Sequence, residues 1–239
     1  MIRRKLLILT AAAAASLLIY SCGKAEKQEL PATGGESFRM PAETVEKGVW
    51  ADLSADPELG AWIMADSGAW KAENGVMSKS EGGGNIWTKR RYGNFELECE
   101  FKIETGGNSG IFFRTDDIDD PVQTGIEMQV YNTPRQPSPV KNDCGAIYDF
   151  MEPSEYADKP PGEWNHVIIT CDDNIITVVL NGVEIITMDI DRWDTPGMNP
   201  DGTKNKFNNA LKDFSRLGHI GFQEHGDPVW FRNVRVKEL

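Results

Sequence analysis

Phe95, Leu97, Cys99, Phe101 and Ile103 alternate with Glu96, Glu98, Glu100 and Lys102 in the stretch FELECEFKI. Successive side chains of a strand point to opposite faces, whereas helical faces repeat about every 3.6 residues, so this pattern specifies a strand with one buried and one wet face. Such a strand needs antiparallel neighbours and a second layer over its apolar side. The rest of the chain supplies them. SGIFFR (109–114), GIEMQV (125–130), HVIITC (166–171), IITVVL (175–180), VEIITM (183–188), HIGFQE (219–224) and VWFRNVRV (229–236) are all short strand-like runs. Asn74-Gly75 and Asn181-Gly182 are two-residue hairpin signals between such runs. The only helical pattern is short, over 208–214, and no internal repeat is present. The expected class is all-β, a two-sheet sandwich or a jelly roll of antiparallel strands.

The N-terminal residues do not share this pattern. Arg3, Arg4 and Lys5 precede an apolar run from Leu6 to Ile19, and small residues follow. A basic start, a short apolar stretch and a small residue before a cleavage point describe a secretory signal over residues 1–21. Ser21-Cys22 also resembles the end of a bacterial lipoprotein signal, with Cys22 as the lipidated N-terminus. Lipid anchoring in the cell envelope is therefore the expectation, and plain secretion the alternative. Residues 22–48 then serve as a tether of charge, Gly and Pro without periodicity, and the folded domain covers 49–239. Removing residues 1–21 takes away Arg3, Arg4 and Lys5 and no acidic residue, so a net charge of −12 becomes −15. That balance argues against nucleic-acid partners, which need clustered Lys and Arg. Cys99, Cys144 and Cys171 show neither CxxC spacing nor a His at zinc-ligand spacing. Cys99 is expected in the core, and a Cys144–Cys171 disulfide is open in an oxidising compartment.

Two long segments interrupt the strands. Residues 131–165 hold six prolines, and residues 189–217 run from Asp189 to Leu217 without strand alternation. Loops of this length in a compact domain are commonly functional, and both are expected to rim a cleft. The strands beside them carry unusual polar faces. In GIEMQV, Glu127 and Gln129 oppose Ile126, Met128 and Val130. In SGIFFR, Arg114 shares a face with Phe112. In GFQEHG, Gln223 and His225 lie with Gly221, away from Phe222 and Glu224. Converging in one sheet, these would form a floor with an acid, a base, a cation and two amides. Sugar hydroxyls, which both donate and accept, need that set. By contrast, the glutamates of FELECEFKI read as an ordinary solvated face. His166 and His219 read as structural or exposed, while Trp87, Tyr148 and Trp193 could stack on a sugar ring or anchor core and loops.

GNFELECEFKIETGGNSGIFFR, GIEMQV, NDCGAIYDF, PPGEWNHVIITCDDNIITVVLNGVEI and LGHIGFQEHGDPVWFRNVRVKEL together resemble the 3-keto-disaccharide hydrolase domain. The resemblance runs in order from about Trp50 to Leu239. It implies a concanavalin A-like jelly roll, similar to glucanases and legume lectins. It also implies a bacterial envelope setting and action on glycosides oxidised at C3.

Glucanases of this fold use two carboxyl groups about 5–5.5 Å apart, which alternate positions on one strand can supply. Here the alternate positions read Glu127, Gln129, Tyr131, so the second carboxylate is missing. A 3-keto sugar does not need it, because the ketone acidifies the C2 proton and the C1 substituent can leave by elimination, with water adding afterwards for net hydrolysis. The requirements are a general base, a general acid and a group that stabilises the enolate. Glu127 and His225 are assigned the first two in either order and Arg114 the third. Gln129, Gln223, Asn108, Tyr148 and Asp143 are assigned to substrate binding. A divalent metal on Glu127 and His225, with Asp143, is the alternative enolate stabiliser. The competing functions are a non-catalytic carbohydrate-binding surface lipoprotein and a structural surface protein. Convergence of Arg114, Glu127 and His225 in one cleft discriminates among them.

Overall fold

A computed structural model describes residues 47–239 apart from 67, 80, 81 and 133. The expected signal, Cys22 and nearly all of the tether lie outside the described residues. The strands are β1 (Trp50–Asp52), β2 (Trp62–Met64), β3 (Trp70–Glu73), β4 (Val76–Lys79), β5 (Ile86–Tyr92), β6 (Phe95–Ile103) and β7 (Asn108–Thr115). They continue as β8 (Ile126–Tyr131), β9 (Asn165–Asp172), β10 (Ile175–Leu180), β11 (Val183–Asp189), β12 (Gly218–Phe222) and β13 (Val229–Glu238). One eight-stranded antiparallel sheet runs β11-β10-β9-β6-β13-β4-β3, with β1 also paired to β13, and a five-stranded sheet runs β2-β5-β12-β7-β8. Two antiparallel sheets face to face are the expected jelly roll.

Local sequence explains the hairpins. Asn74 and Gly75, and Asn181 and Gly182, all have positive φ (54°, 74°, 51° and 86°). A type I′ turn requires positive φ at both central residues, and Asn-Gly supplies it with least strain. The helical expectation over 208–214 reduces to a single 3₁₀ turn, Leu211–Asp213. One short helix that the sequence pattern did not reveal, α1 (Pro121–Thr124), precedes β8. Four residues bury too little to leave a periodic signature.

The core lies between the sheets. Phe95, Leu97, Cys99, Phe101 and Ile103 of β6 are buried there with Ile111 and Phe113 of β7, Ile126, Met128 and Val130 of β8, and Phe222 of β12. Phe222 and Phe231 stack across the two layers at 3.8 Å and 7°. Cys99, Cys144 and Cys171 are all buried and free, so the disulfide left open from sequence is not formed. The outer face of β6 is more than solvated surface. Register places Glu96, Glu98 and Glu100 opposite Lys237, Arg235 and Arg232 of β13. The ion pairs measure 3.2, 2.6 and 2.9 Å. Cross-strand opposite charges of this kind fix register more than they add stability.

The strand order of the smaller sheet has a consequence for chemistry. β12 pairs β7, and β7 pairs β8, so the segment just after Phe222 and the GIEMQV strand are separated by one strand although about a hundred residues apart in sequence.

Candidate active site

The face of the five-stranded sheet turned away from the core carries a cleft of about 380 Å³. That is within the range of small-molecule sites. In register, Asn108, Gly110 and Phe112 of β7 stand across from Tyr131, Gln129 and Glu127 of β8. Directly opposed residues of an antiparallel pair share a face, so alternation puts all six on the outer side. Glu127, Gln129, Asn108, Tyr148, Gln223 and His225, all sequence-predicted, line the cleft together with Tyr131, Asn142, Val122 and Lys206.

Glu127 is buried in the floor of the cleft. It is 8 % exposed, and its Oε1 has no hydrogen-bond partner. Burial pushes its carboxyl up to about 7, and the charge of Lys206 opposes that rise in part. Phe112, directly opposite, is itself buried and packs on Trp87 at 5.5 Å between ring centroids. Gly110 makes the placement sterically feasible. A Cβ there would lie 2.0 Å from Glu127 Oε1, so only a residue without a side chain lets the carboxyl lie across β7. Gly110→Ala should therefore leave the core intact but displace Glu127. Misplacement of a catalytic group by about 1 Å can cost about 10²-fold, so kcat should fall by that order while the melting temperature changes little. An active Gly110→Ala protein would show that the carboxyl's position is unimportant.

The neighbouring side chains are held. Gln129 Nε2 donates to Asn108 Oδ1 at 3.0 Å, leaving the Gln129 carbonyl and the Asn108 amide for hydroxyls. Tyr148 arrives because residues 145–148 add to the free edge of β8. Gly145 N donates to Gln129 O, Gln129 N to Ala146 O, and Tyr148 N to Glu127 O, at 2.8, 2.9 and 2.9 Å. Burial and the charge of Glu127 both raise the Tyr148 phenol. Gln223 N donates to Gly110 O at 2.9 Å, and Ser109 Oγ to Gln223 O at 2.8 Å. Glu224, on the opposite side as alternation requires, takes an ion pair from Lys79 at 2.5 Å and accepts from Gly226 N at 2.7 Å. Its role is to brace the turn that aims Gln223 and His225 at the cleft.

Two assignments are corrected. Arg114 is fully buried and does not line the cleft. Its φ is 50°, and three residue steps on β7 (Phe112 to Thr115) match two on β12 (Gly221 to His219), which is a β-bulge. A bulge re-aims the side chain that simple alternation would have sent to the cleft. The guanidinium donates to Gly93 O at 3.0 Å, Asp173 O at 2.7 Å and Asn94 Oδ1 at 3.3 Å, tying two turns together. Arg114→Met should cost about 1–3 kcal/mol of stability by removing the charged hydrogen bonds that tie these turns to β7. Turnover per folded molecule should stay near wild type; a folded variant with a collapsed rate would return Arg114 to the chemistry. Asp143 is 4 % exposed and faces its own loop, where Oδ2 accepts from Val140 N at 2.9 Å and Tyr156 OH at 3.0 Å. It is a loop brace, not a substrate ligand.

The same finding removes the third donor from the metal alternative. Only Glu127 and His225 remain in the cleft, and among the described residues no group of three His, Cys, Asp or Glu side chains could hold a metal ion. This donor set does not fit a resident metal. Of the aromatics named from sequence, Trp87 lies buried over Gly221, and Trp193 is buried with its Nε1 donating to Asn199 Oδ1 at 3.0 Å. Tyr148 alone reaches the cleft.

Lys206, Tyr131, Asn142 and Val122 line the cleft without having been assigned from sequence. Tyr131 was legible as the next alternate position after Gln129. Lys206 and Asn142 come from the two long loops, whose length marked them as a rim but whose residues carry no period to choose among them.

Known proteins are similar to this chain in sequence and in structure. A 3-keto-disaccharide hydrolase of Bacteroides thetaiotaomicron is 27 % identical over 215 residues, covering 80 % of this chain and 74 % of that protein. Crystal structures of two candidate glycosyl hydrolases from Parabacteroides distasonis align with TM-scores of 0.73 and 0.65 at 32 % and 25 % identity. The alignments cover 80 % of this chain in both cases, and 100 % and 94 % of those chains. A Bacillus licheniformis β-glucanase shares the fold at a TM-score of 0.50 and 13 % identity, over 82 % of this chain and all of its own. Residues 49–237 match the 3-keto-alpha-glucoside-1,2-lyase-like domain, and the chain belongs to that family.

Proposed function

We propose that this protein cleaves glycosides that already carry a ketone at C3, by removing the C2 proton and expelling the C1 substituent. The observation that carries this reading is Glu127: one buried, unpartnered carboxyl near neutral pKa, with Gln129 where a glucanase-type second carboxylate would stand. A base poised near the working pH is efficient in proton transfer, whereas double displacement needs a carboxyl pair. In the proposed reaction Glu127 takes the proton from C2. His225, exposed at the cleft mouth, donates a proton to the departing glycosidic oxygen. The C1–O bond breaks, leaving a double bond between C1 and C2 conjugated to the C3 ketone. Water adding at C1, with a proton returned to C2, completes net hydrolysis; release before that step makes the reaction an elimination. Gln129, Asn108 and Gln223 orient the sugar hydroxyls.

The burial of Glu127 favours this reading over a purely sugar-binding module, because a recognition carboxylate gains nothing from being desolvated and left unpaired. The test is turnover in D₂O. Proton removal from C2 incorporates deuterium there during net hydrolysis, or loses the C2 hydrogen altogether in elimination. A hydrolysed product that retains its C2 hydrogen would mean direct displacement at C1. We further propose that Cys22 anchors the enzyme to the bacterial envelope. Cys22→Ala should then release the protein from the membrane fraction, and a wild-type chain with any other N-terminus would end that claim.

A further inference from the structure

With Arg114 removed from the cleft, Lys206 is the one Lys or Arg among the cleft-lining residues. Its placement is not that of a lysine free in solvent. The backbone N of Lys206 donates to Asp149 Oδ2 at 2.8 Å, and its carbonyl accepts from Gln123 Nε2 at 3.3 Å. Gln123 Oε1 in turn accepts from Asn208 N at 2.9 Å. Phe207 stacks on Phe150 at 4.0 Å and 10°, so the two long loops close on each other just beside the cleft. From this fixed base Lys206 Nζ lies 4.0 Å from the centroid of the Tyr148 ring. The Tyr148 backbone is bonded to Glu127 O, so the ammonium is referenced to the strand that carries the base. Lys206 makes no ion pair among the described residues, which leaves its donors for a ligand.

We infer that Lys206 is a catalytic residue whose ammonium receives the negative charge developing on the C3 oxygen when Glu127 removes the C2 proton. The inference rests on the enolate reading above. The proton moves from C2 to Glu127, the electron pair of the C2–H bond becomes the C2–C3 π bond, and the carbonyl pair moves onto oxygen. A cation held against an aromatic face is already partly desolvated, and this makes it more effective toward a new anion than a water-solvated lysine. Burial lowers the Lys206 ammonium, and the charges of Glu127 and Asp149 oppose that.

A probe that can enolise but not eliminate isolates the step. The 3-keto derivative of 1,5-anhydroglucitol has the ketone and the C2 hydrogen but no aglycone at C1 to be expelled. Its C2 exchange in D₂O, followed by proton NMR and corrected for exchange without protein, reads enolisation alone. Lys206→Met should slow both this exchange and the turnover of a 3-keto glucoside by about 10²–10³-fold, the loss typical of one electrostatic donor. Lys206→Arg should restore most of both. Lys206 is exposed, so neither change should alter the melting curve. Full exchange in Lys206→Met beside lost exchange in Glu127→Gln overturns the role of Lys206 and leaves the enolate reading standing. Full exchange in Glu127→Gln instead overturns the enolate reading, and the inference with it. Trapping of the probe on Lys206 by borohydride also overturns it, because the amine would then act through a covalent imine.

Discussion

Glu127→Gln should lower turnover of a 3-keto glycoside by about 10²–10⁴-fold, the usual cost of one general base, while substrate binding changes far less. The glutamine keeps the size of the side chain over Gly110, so the loss reports the charge and not the shape. His225→Asn should cost a comparable factor with a poor leaving group. The double variant should lose much less than the product of the two, because residues that act as a unit are not additive. The wild-type rate should rise with pH through about 7, where Glu127 ionises, and not through the ordinary range near 4.5. Stability should change in the opposite sense. A carboxyl whose folded pKa is raised holds its proton in the folded state after the unfolded chain has lost it. Folding stability therefore falls as pH rises from 4.5 to about 7 and stays lower above that. This corresponds to about 3 kcal/mol as an upper estimate. Glu127→Gln removes the penalty, so the variant should be more stable than wild type at pH 8 and no more stable at pH 4. Denaturant titrations at the two pH values check this. A variant that keeps its full rate would take Glu127 out of the chemistry, and a stability gain that does not depend on pH would show that burial does not raise its carboxyl.

The second large effect concerns the substrate. The unoxidised parent of a 3-keto glucoside should be cleaved at least about 10⁴-fold more slowly, since its C2 proton is not acidic and the cleft lacks the carboxyl pair that would open the ordinary route. Gln129 decides this. It lies two residues from Glu127 on the same face, 3 % exposed and bonded to Asn108, where it can orient a hydroxyl but cannot attack C1. Comparable rates on both sugars, measured by release of the same aglycone, would contradict that reading of Gln129. Gln129→Glu adds a second carboxyl beside Glu127. Like charges at that distance push one pKa higher still, so the variant should lose 3-keto activity near neutral pH without gaining a glucanase's.

Much of this is legible in the sequence. Alternation over 95–103 and the Asn-Gly turns settled strand identity and two hairpins, since period two and positive φ are local properties. The same alternation assigned Glu127, Gln129, Gln223 and His225 to the cleft side and Glu224 to the other, and Lys79 holds Glu224 there. Alternation failed at Arg114 because a single bulged residue reverses the face, and nothing local in SGIFFR announces it. It was silent on Asp143 and Lys206, which lie in loops held by tertiary hydrogen bonds instead of a period.

The sequence by itself thus determined the class of fold, which strands carried chemistry and which side of each strand carried it. Only the tertiary structure decided which of those groups meet. β12 sits beside β7, so His225 comes to the cleft that Glu127 floors, while the bulge withdraws Arg114 and the stacked loops bring Lys206 in its place. The pKa of Glu127 belongs to the same level. Desolvation depends on every neighbour that excludes water, from Phe112 across the strand to the loops over the rim, and no stretch of chain encodes that sum.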